Sequence, residues 1–187
     1  DFSQSLSINA QQVFAQKMLA IVLGAMGRLE QSMQAFDAAL KLDPKDPEIY
    51  FNRANFRFQA GQVAEALADL DEAIKLKPSY LEARSNRANL LIQSEDYALA
   101  EKDLAYLTDK VKNNSDLWVA LGLAKHKLGK HKEALQANAR ALQLNAQHPD
   151  AVMNNSSITF DIQKFDDSVD WAEKAILVTP NRAEAHY

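Results

Sequence analysis

Cysteine is absent from all 187 residues. That absence excludes disulfides, thiol catalysis and cysteine-based zinc sites, and it is compatible with cytosol and periplasm alike. Glycine is scarce, with five in the chain, and none of the five builds a phosphate-cradling loop or a nucleophile elbow. No Ser/His/Asp arrangement can be traced either, so no catalytic residue is expected in this segment. Positive charge is not in excess: 21 Lys and Arg against 25 Asp and Glu leave a net charge of −4. Nucleic acid and anionic lipid, which are recruited by a positive field, are therefore not expected partners. Long apolar runs are missing too. The longest, Met18 to Met26, is far short of the ~20 residues that a membrane-spanning helix needs, so no insertion is expected. The four histidines, His126, His131, His148 and His186, are scattered, with no i, i+4 pair and no acidic or cysteine partner at ligand spacing. Neither a metal nor any other cofactor is expected.

What the chain does have is a repeat. Units of 34 residues begin at Val13, Pro47, Leu81, Ser115 and Pro149, without insertion or deletion. A small residue fills the eighth place of each unit: Ala20, Ala54, Ala88, Gly122 and Ser156. Another fills the twentieth: Ser32, Ala66, Ala100, Ala134 and Ser168. A fixed period of this length is the signature of a stacked solenoid, in which each unit buries its apolar face only against its neighbours. The composition, 47% hydrophobic and 25% charged, suits a well-ordered, helix-rich chain.

Within a unit, apolar spacing predicts a helix, a turn and a helix. In the second unit Ile49, Tyr50, Phe56 and Ala60 recur at helical spacing, Gly61 interrupts, and Ala66, Leu67, Leu70, Ala73 and Ile74 resume. Gly27, Gly61 and Gly129 share the fifteenth place, where positive φ can end a first helix. Asp46-Pro47 and His148-Pro149 put proline at a first helical position, where its missing N–H costs nothing. The small eighth and twentieth places let the two helices of a hairpin approach closely. A bulky residue there would cost roughly 1–3 kcal/mol in overpacking.

These motifs resemble the tetratricopeptide repeat, whose pattern is W-x2-L-G-x2-Y, A-x3-F, P. The fourth unit carries Trp118-x2-Leu121-Gly122 and Ala134. The first carries Ser32-x3-Phe36 and Pro44; the second carries Tyr50, Ala54, Ala66-x3-Leu70 and Pro78. The resemblance covers the whole chain and implies an all-α, right-handed α-solenoid that binds proteins or peptides in a concave groove lined by the first helices. The third unit departs most, with Glu95 for the turn glycine, Leu107 for a small residue and Lys112 for proline. It is expected to be the least regular.

The same counting predicts one array over 1–187, with repeats at 13–46, 47–80, 81–114, 115–148 and 149–182. Residues 1–12 fit the end of a preceding repeat and 183–187 the start of a further one. The chain thus reads as a window of a longer array, with uncapped ends able to self-associate.

Candidate binding residues lie on the first helices. Asn52, Asn86 and Asn154 share the sixth place and Asn55 and Asn89 the ninth, within one stripe of places three or four residues apart. Asn is a mediocre helix former, so propensity does not explain its recurrence. A ladder of such amides can hold an extended peptide by its backbone; alternatively, Asn bridges adjacent helices. The ladder resembles that of the O-linked N-acetylglucosamine transferase superhelix. Phe51, Phe58 and Lys127 extend the stripe, giving it an apolar and charged character suited to polypeptide. Arg53 and Arg87, in the seventh place, are expected to form interhelical ion pairs with Asp37, Asp71 or Asp103. The clamp by which some family members hold acidic chaperone C-termini is not matched, because Phe51, Asp116 and Ala120 occupy its cationic places.

The sequence thus points to a non-catalytic scaffold that binds an extended peptide or partner protein. The alternative is the substrate-recruiting arm of a larger enzyme such as a glycosyltransferase, since the Asn-Arg-Ala-Asn runs at 52–55 and 86–89 resemble units of arrays fused to such domains.

Overall fold

The computed structural model describes the backbone of residues 2–178 and the side chains of residues 9–178. The further repeat expected at 183–187, and His186 with it, lies outside the described residues. Among the described residues the chain is all helix: α1 (Phe2–Ala25), α2 (Leu29–Leu42), α3 (Pro47–Gln59), α4 (Val63–Leu76), α5 (Leu81–Gln93), α6 (Tyr97–Lys110), α7 (Ser115–Lys127), α8 (His131–Leu144), α9 (Pro149–Asp161) and α10 (Phe165–Val178). Together they form an all-α solenoid. Its backbone contacts divide it into two bodies, 1–90 and 91–187, with the division inside α5.

Helix ends follow the local chemistry. Pro47 and Pro149 open α3 and α9, and the Asp46 side chain accepts a hydrogen bond from Glu48 N at 2.8 Å, capping an otherwise unpaired donor. Gly61 ends the α3–α4 hairpin turn at φ +76°, the left-handed region that glycine enters without strain. Replacing this glycine with Glu95 does not shorten the helices of the third unit, although the division between the two bodies falls in its first helix. Glu95 takes φ 60° itself, and α5 and α6 keep the 13 and 14 residues of α3 and α4. Asp96 N donates to the Leu91 carbonyl at 2.8 Å and closes the turn, at a local backbone cost of about 1–2 kcal/mol.

At the start of the chain, α1 runs unbroken for 24 residues. No turn separates residues 2–12 from the helix that follows. Ala10 stands where other units close with proline, and alanine keeps its N–H and favours helix, so nothing there ends the segment.

In the first body α1 packs on α2 and α3 on α4, with α2 also against α3. The eighth and twentieth places meet as their sizes require. Ala20 and Ser32 are both fully buried, and Ser32 Oγ donates to the Ala20 carbonyl at 2.7 Å, so the serine satisfies its hydroxyl at the closest approach of the helices. One apolar cluster joins Ala20, Phe36, Ala39 and Ile49, with Phe56 against Phe36 at a ring separation of 6.0 Å. Another joins Ala54, Ala66, Leu70, Tyr80, Ala83 and Leu90.

In the second body α7 pairs with α8 and α9 with α10, and α6 contacts α7. Ser168 Oγ donates to the Ser156 carbonyl at 3.0 Å, repeating the Ser32 contact at the same two places. Gly122 is required by its neighbour: a Cβ there would fall inside contact distance of Asn138 Oδ1. Asn138, fully buried where other units place Phe36, Leu70 or Leu104, donates from Nδ2 to Asn155 Oδ1 at 2.9 Å. Among the described residues no helix is long and apolar enough to cross a membrane.

Candidate functional site

The asparagine stripe falls on α3 and α5 in the first body and on α9 in the second. Asn86 Nδ2 donates to Asn55 Oδ1 at 2.7 Å, linking the ninth place of one unit to the sixth of the next. This bond bridges adjacent helices. It uses one donor of Asn86 and one lone pair of Asn55, so each amide retains further hydrogen-bonding capacity. Asn52 is half-buried on α3 and Asn89 is exposed on α5. Asn154 is half-buried on α9, and exposed Lys127 closes α7; both belong to the second body.

The aromatic residues divide. Phe51 is half-buried, its ring 5.0 Å from that of Tyr80, and it packs on the α3–α4–α5 core. Val119 and Met153, in the same fifth place, also pack into apolar clusters. The fifth place is therefore committed to packing in the second, fourth and fifth units. Phe58, in the twelfth place, is 41% exposed. On α1, Phe14 and Met18, in the second and sixth places, are likewise exposed. Apolar surface thus accompanies the amides along the first helices of the first body.

Charge is organised across the same helices. Arg53 on α3 donates to Asp69 of α4 through Nε at 2.9 Å and Nη2 at 2.6 Å, and to Asp37 of α2 through Nη1 at 2.6 Å. Arg57 Nη1 adds a third bond to Asp69 at 2.7 Å. Arg87 reaches Asp71 at 2.6 Å. The seventh-place arginines are interhelical anchors, as their aspartate neighbours suggest. Asp69, the most buried member of the network, was missed although it stands one 34-residue period before Asp103, in the same place of its unit. Arg53 is raised further above its usual range: burial opposes its charge, but the hydrogen bonds and field of Asp69, with Asp37, outweigh it.

Lys17 on α1 bonds Asp46 at 3.0 Å and Glu48 at 2.7 Å. Burial works against its charge, yet these two carboxylates hold it above the usual lysine range. Tyr80 is pushed up to about 12, first by burial and then by the field of Glu48.

The histidines acquire partners that local spacing did not show. His148 Nε2 lies 2.8 Å from Asp116 Oδ1, and His126 Nε2 lies 2.7 Å from Asp161 Oδ2. Asp161 comes from the next unit, 35 residues on from His126, whereas Asp116 and His148 stand 32 residues apart at the two ends of the fourth unit.

Among solved structures, the chain is similar to YrrB, described as a TPR protein with an unusual peptide-binding site, at 20% identity and a TM-score of 0.88, covering 100% of this chain and 96% of that one. It is similar to a crystal structure of MamA at 16% identity and a TM-score of 0.83, covering 94% and 96% of the two chains. MamA from Desulfovibrio magneticus RS-1 follows at 14% identity and a TM-score of 0.81, with coverage of 92% and 97%. No curated protein matches the chain in sequence. The tetratricopeptide repeat family model matches residues 17–80 and 85–151. With helices paired in hairpins among the described residues and a family match over most of its length, the chain belongs to the tetratricopeptide repeat family.

Proposed function

We propose that this chain is a scaffold whose first helices hold an extended peptide through side-chain amides. Asn52, Asn55, Asn86 and Asn89 form the amide face of the first body, with Phe58 as its exposed apolar contact and Phe51 as a packed support. Asn154 and Lys127 are the corresponding contacts of the second body. The five repeats at 13–46, 47–80, 81–114, 115–148 and 149–182 set the spacing. The observation that carries the reading is the Asn86 to Asn55 bond at 2.7 Å. It fixes two amides from successive repeats side by side while leaving each able to pair with a peptide N–H or C=O. A partner recognised in this way contributes backbone groups for affinity and side chains for selectivity. The structural likeness to YrrB, a protein described as having a peptide-binding site, supports the same reading.

The test uses a display library of unstructured random peptides selected on the chain, followed by fluorescence polarisation of an enriched peptide. Replacing Asn52, Asn55, Asn86, Asn89 and Asn154 with Ala should weaken that peptide at least tenfold, about 1.4 kcal/mol, with helical circular dichroism unchanged. Unchanged affinity in the fivefold variant refutes the assignment.

A further inference from the structure

The histidine pairing found above carries a site that the local sequence pattern excluded. His126, His131 and Asp161 each offer one donor atom, and the three donors lie within 4.8 Å of one another. His126 sits in the last turn of α7, His131 opens α8 across the turn at Gly129, and Asp161 is the last residue of α9. All three belong to the second body. The two imidazole rings are 5.5 Å apart. We propose that these residues form a binding site for a divalent transition ion of the zinc class.

Donor chemistry points that way. Two imidazoles and a carboxylate suit zinc and its first-row neighbours, whereas magnesium and calcium prefer oxygen alone. Zinc holds nitrogen and carboxylate oxygen at about 2.0–2.2 Å. Donors on one ion therefore sit within roughly 4 Å of each other, and a side-chain adjustment of about an ångström closes the present cluster. Asp161 can make that adjustment, since its side chain is 50% exposed.

Two further observations fit an ion. His131 Nδ1 is buried and has no hydrogen-bond partner, a lone nitrogen of the kind that a metal satisfies. Two helix C-termini, those of α7 and α9, bring the negative ends of their dipoles to the cluster, against the single positive end of α8. Two of the flanking lysines are engaged elsewhere. Lys125 pairs with Glu133 and Glu101, and Lys130 lies 2.7 Å from Glu101. Three protein ligands leave a fourth position open to water or to an incoming carboxylate. This inference is independent of the amide groove.

The test is titration of zinc into the untagged, chelator-stripped chain by calorimetry, with cobalt as a visible-absorption probe of the ligand set. Wild type should bind one ion per chain. Because loss of even outer-shell partners costs about 10–100-fold, H126A, H131A and D161A should each lower affinity by about 100-fold or more. H148A and H186A should bind as wild type does. A second measurement needs no variant: zinc should shield His126 and His131, but not His186, from carbethoxylation mapped by mass spectrometry. Absence of saturable binding, unchanged affinity in the three ligand variants, or protection confined to other histidines overturns the proposal.

Discussion

Asp69 is the position whose loss the structure prices most clearly. Its side chain is 4% exposed and accepts three bonds from two guanidinium groups, Arg53 Nε and Nη2 and Arg57 Nη1. Arg53 is itself only 11% exposed and Arg57 22%. Changing Asp69 to Asn keeps the shape but removes the charge and points an N–H2 group at donors. Each hydrogen bond to a charged group is worth about 1.5–3 kcal/mol, and these three are not additive. Removing one partner of a buried ion pair costs about 3–5 kcal/mol, because the remaining charge stays desolvated. We therefore expect D69N to destabilise the α2–α3–α4 region by about 3–5 kcal/mol. Asp37, the other partner of Arg53, is 57% exposed, so D37N should cost at most about 1 kcal/mol. Solenoids need not unfold in one step, so the assay is native-state hydrogen exchange read on α3 and α4 amides. Equal protection losses in D69N and D37N would refute the reasoning.

Glu95→Gly should stabilise the α5–α6 turn by about 0.5–1 kcal/mol, the relief at φ 60° less the added chain entropy of glycine; exchange protection of the turn amides checks it. Gly122→Ala should destabilise the second body despite the better helix propensity of alanine, by about 1–2 kcal/mol, since the added Cβ meets buried Asn138. A stabilised variant in urea unfolding would contradict that. Tyr80 predicts an alkaline weakness. Its phenol stays neutral in the fold until about 12, against 10.0 when unfolded, so its stability contribution is complete below pH 10 and is lost as pH rises toward 12. Y80F should flatten the fall in urea midpoint across that window. An equally steep fall would show that the phenol is not its source.

Much of the fold was legible because the repeat forces it. Residues 34 apart must meet equivalent neighbours, so the eighth and twentieth places, the proline openings and the glycine turns could be read directly. Ser32 and Ser168 follow this rule as closely as the alanines do. The continuity of α1 through Ala10 was not legible from register, because matching a unit's places says nothing about whether the chain leaves the helix. Glu95 shows that a residue other than glycine takes the positive φ of this turn without shortening the flanking helices. Contacts between units were the hardest to read. His126 with Asp161 and Asn86 with Asn55 join residues 35 and 31 apart, so each follows the period only after the helix faces are known. Asp69 and Asn138 are polar residues at buried places, and only their partners, Arg53 and Asn155, explain them.

The central claim, that the asparagine stripe holds a peptide, is tested most directly by nuclear magnetic resonance of the side-chain amides. The library-selected peptide is added to the labelled chain, and the N–H2 signals of Asn52, Asn55, Asn86, Asn89 and Asn154 are followed against those of Asn113 and Asn145, which lie off the first helices. The account predicts that the stripe asparagines shift together while Asn113 and Asn145 stay in place. Shifts confined to asparagines or helices outside the stripe would contradict it.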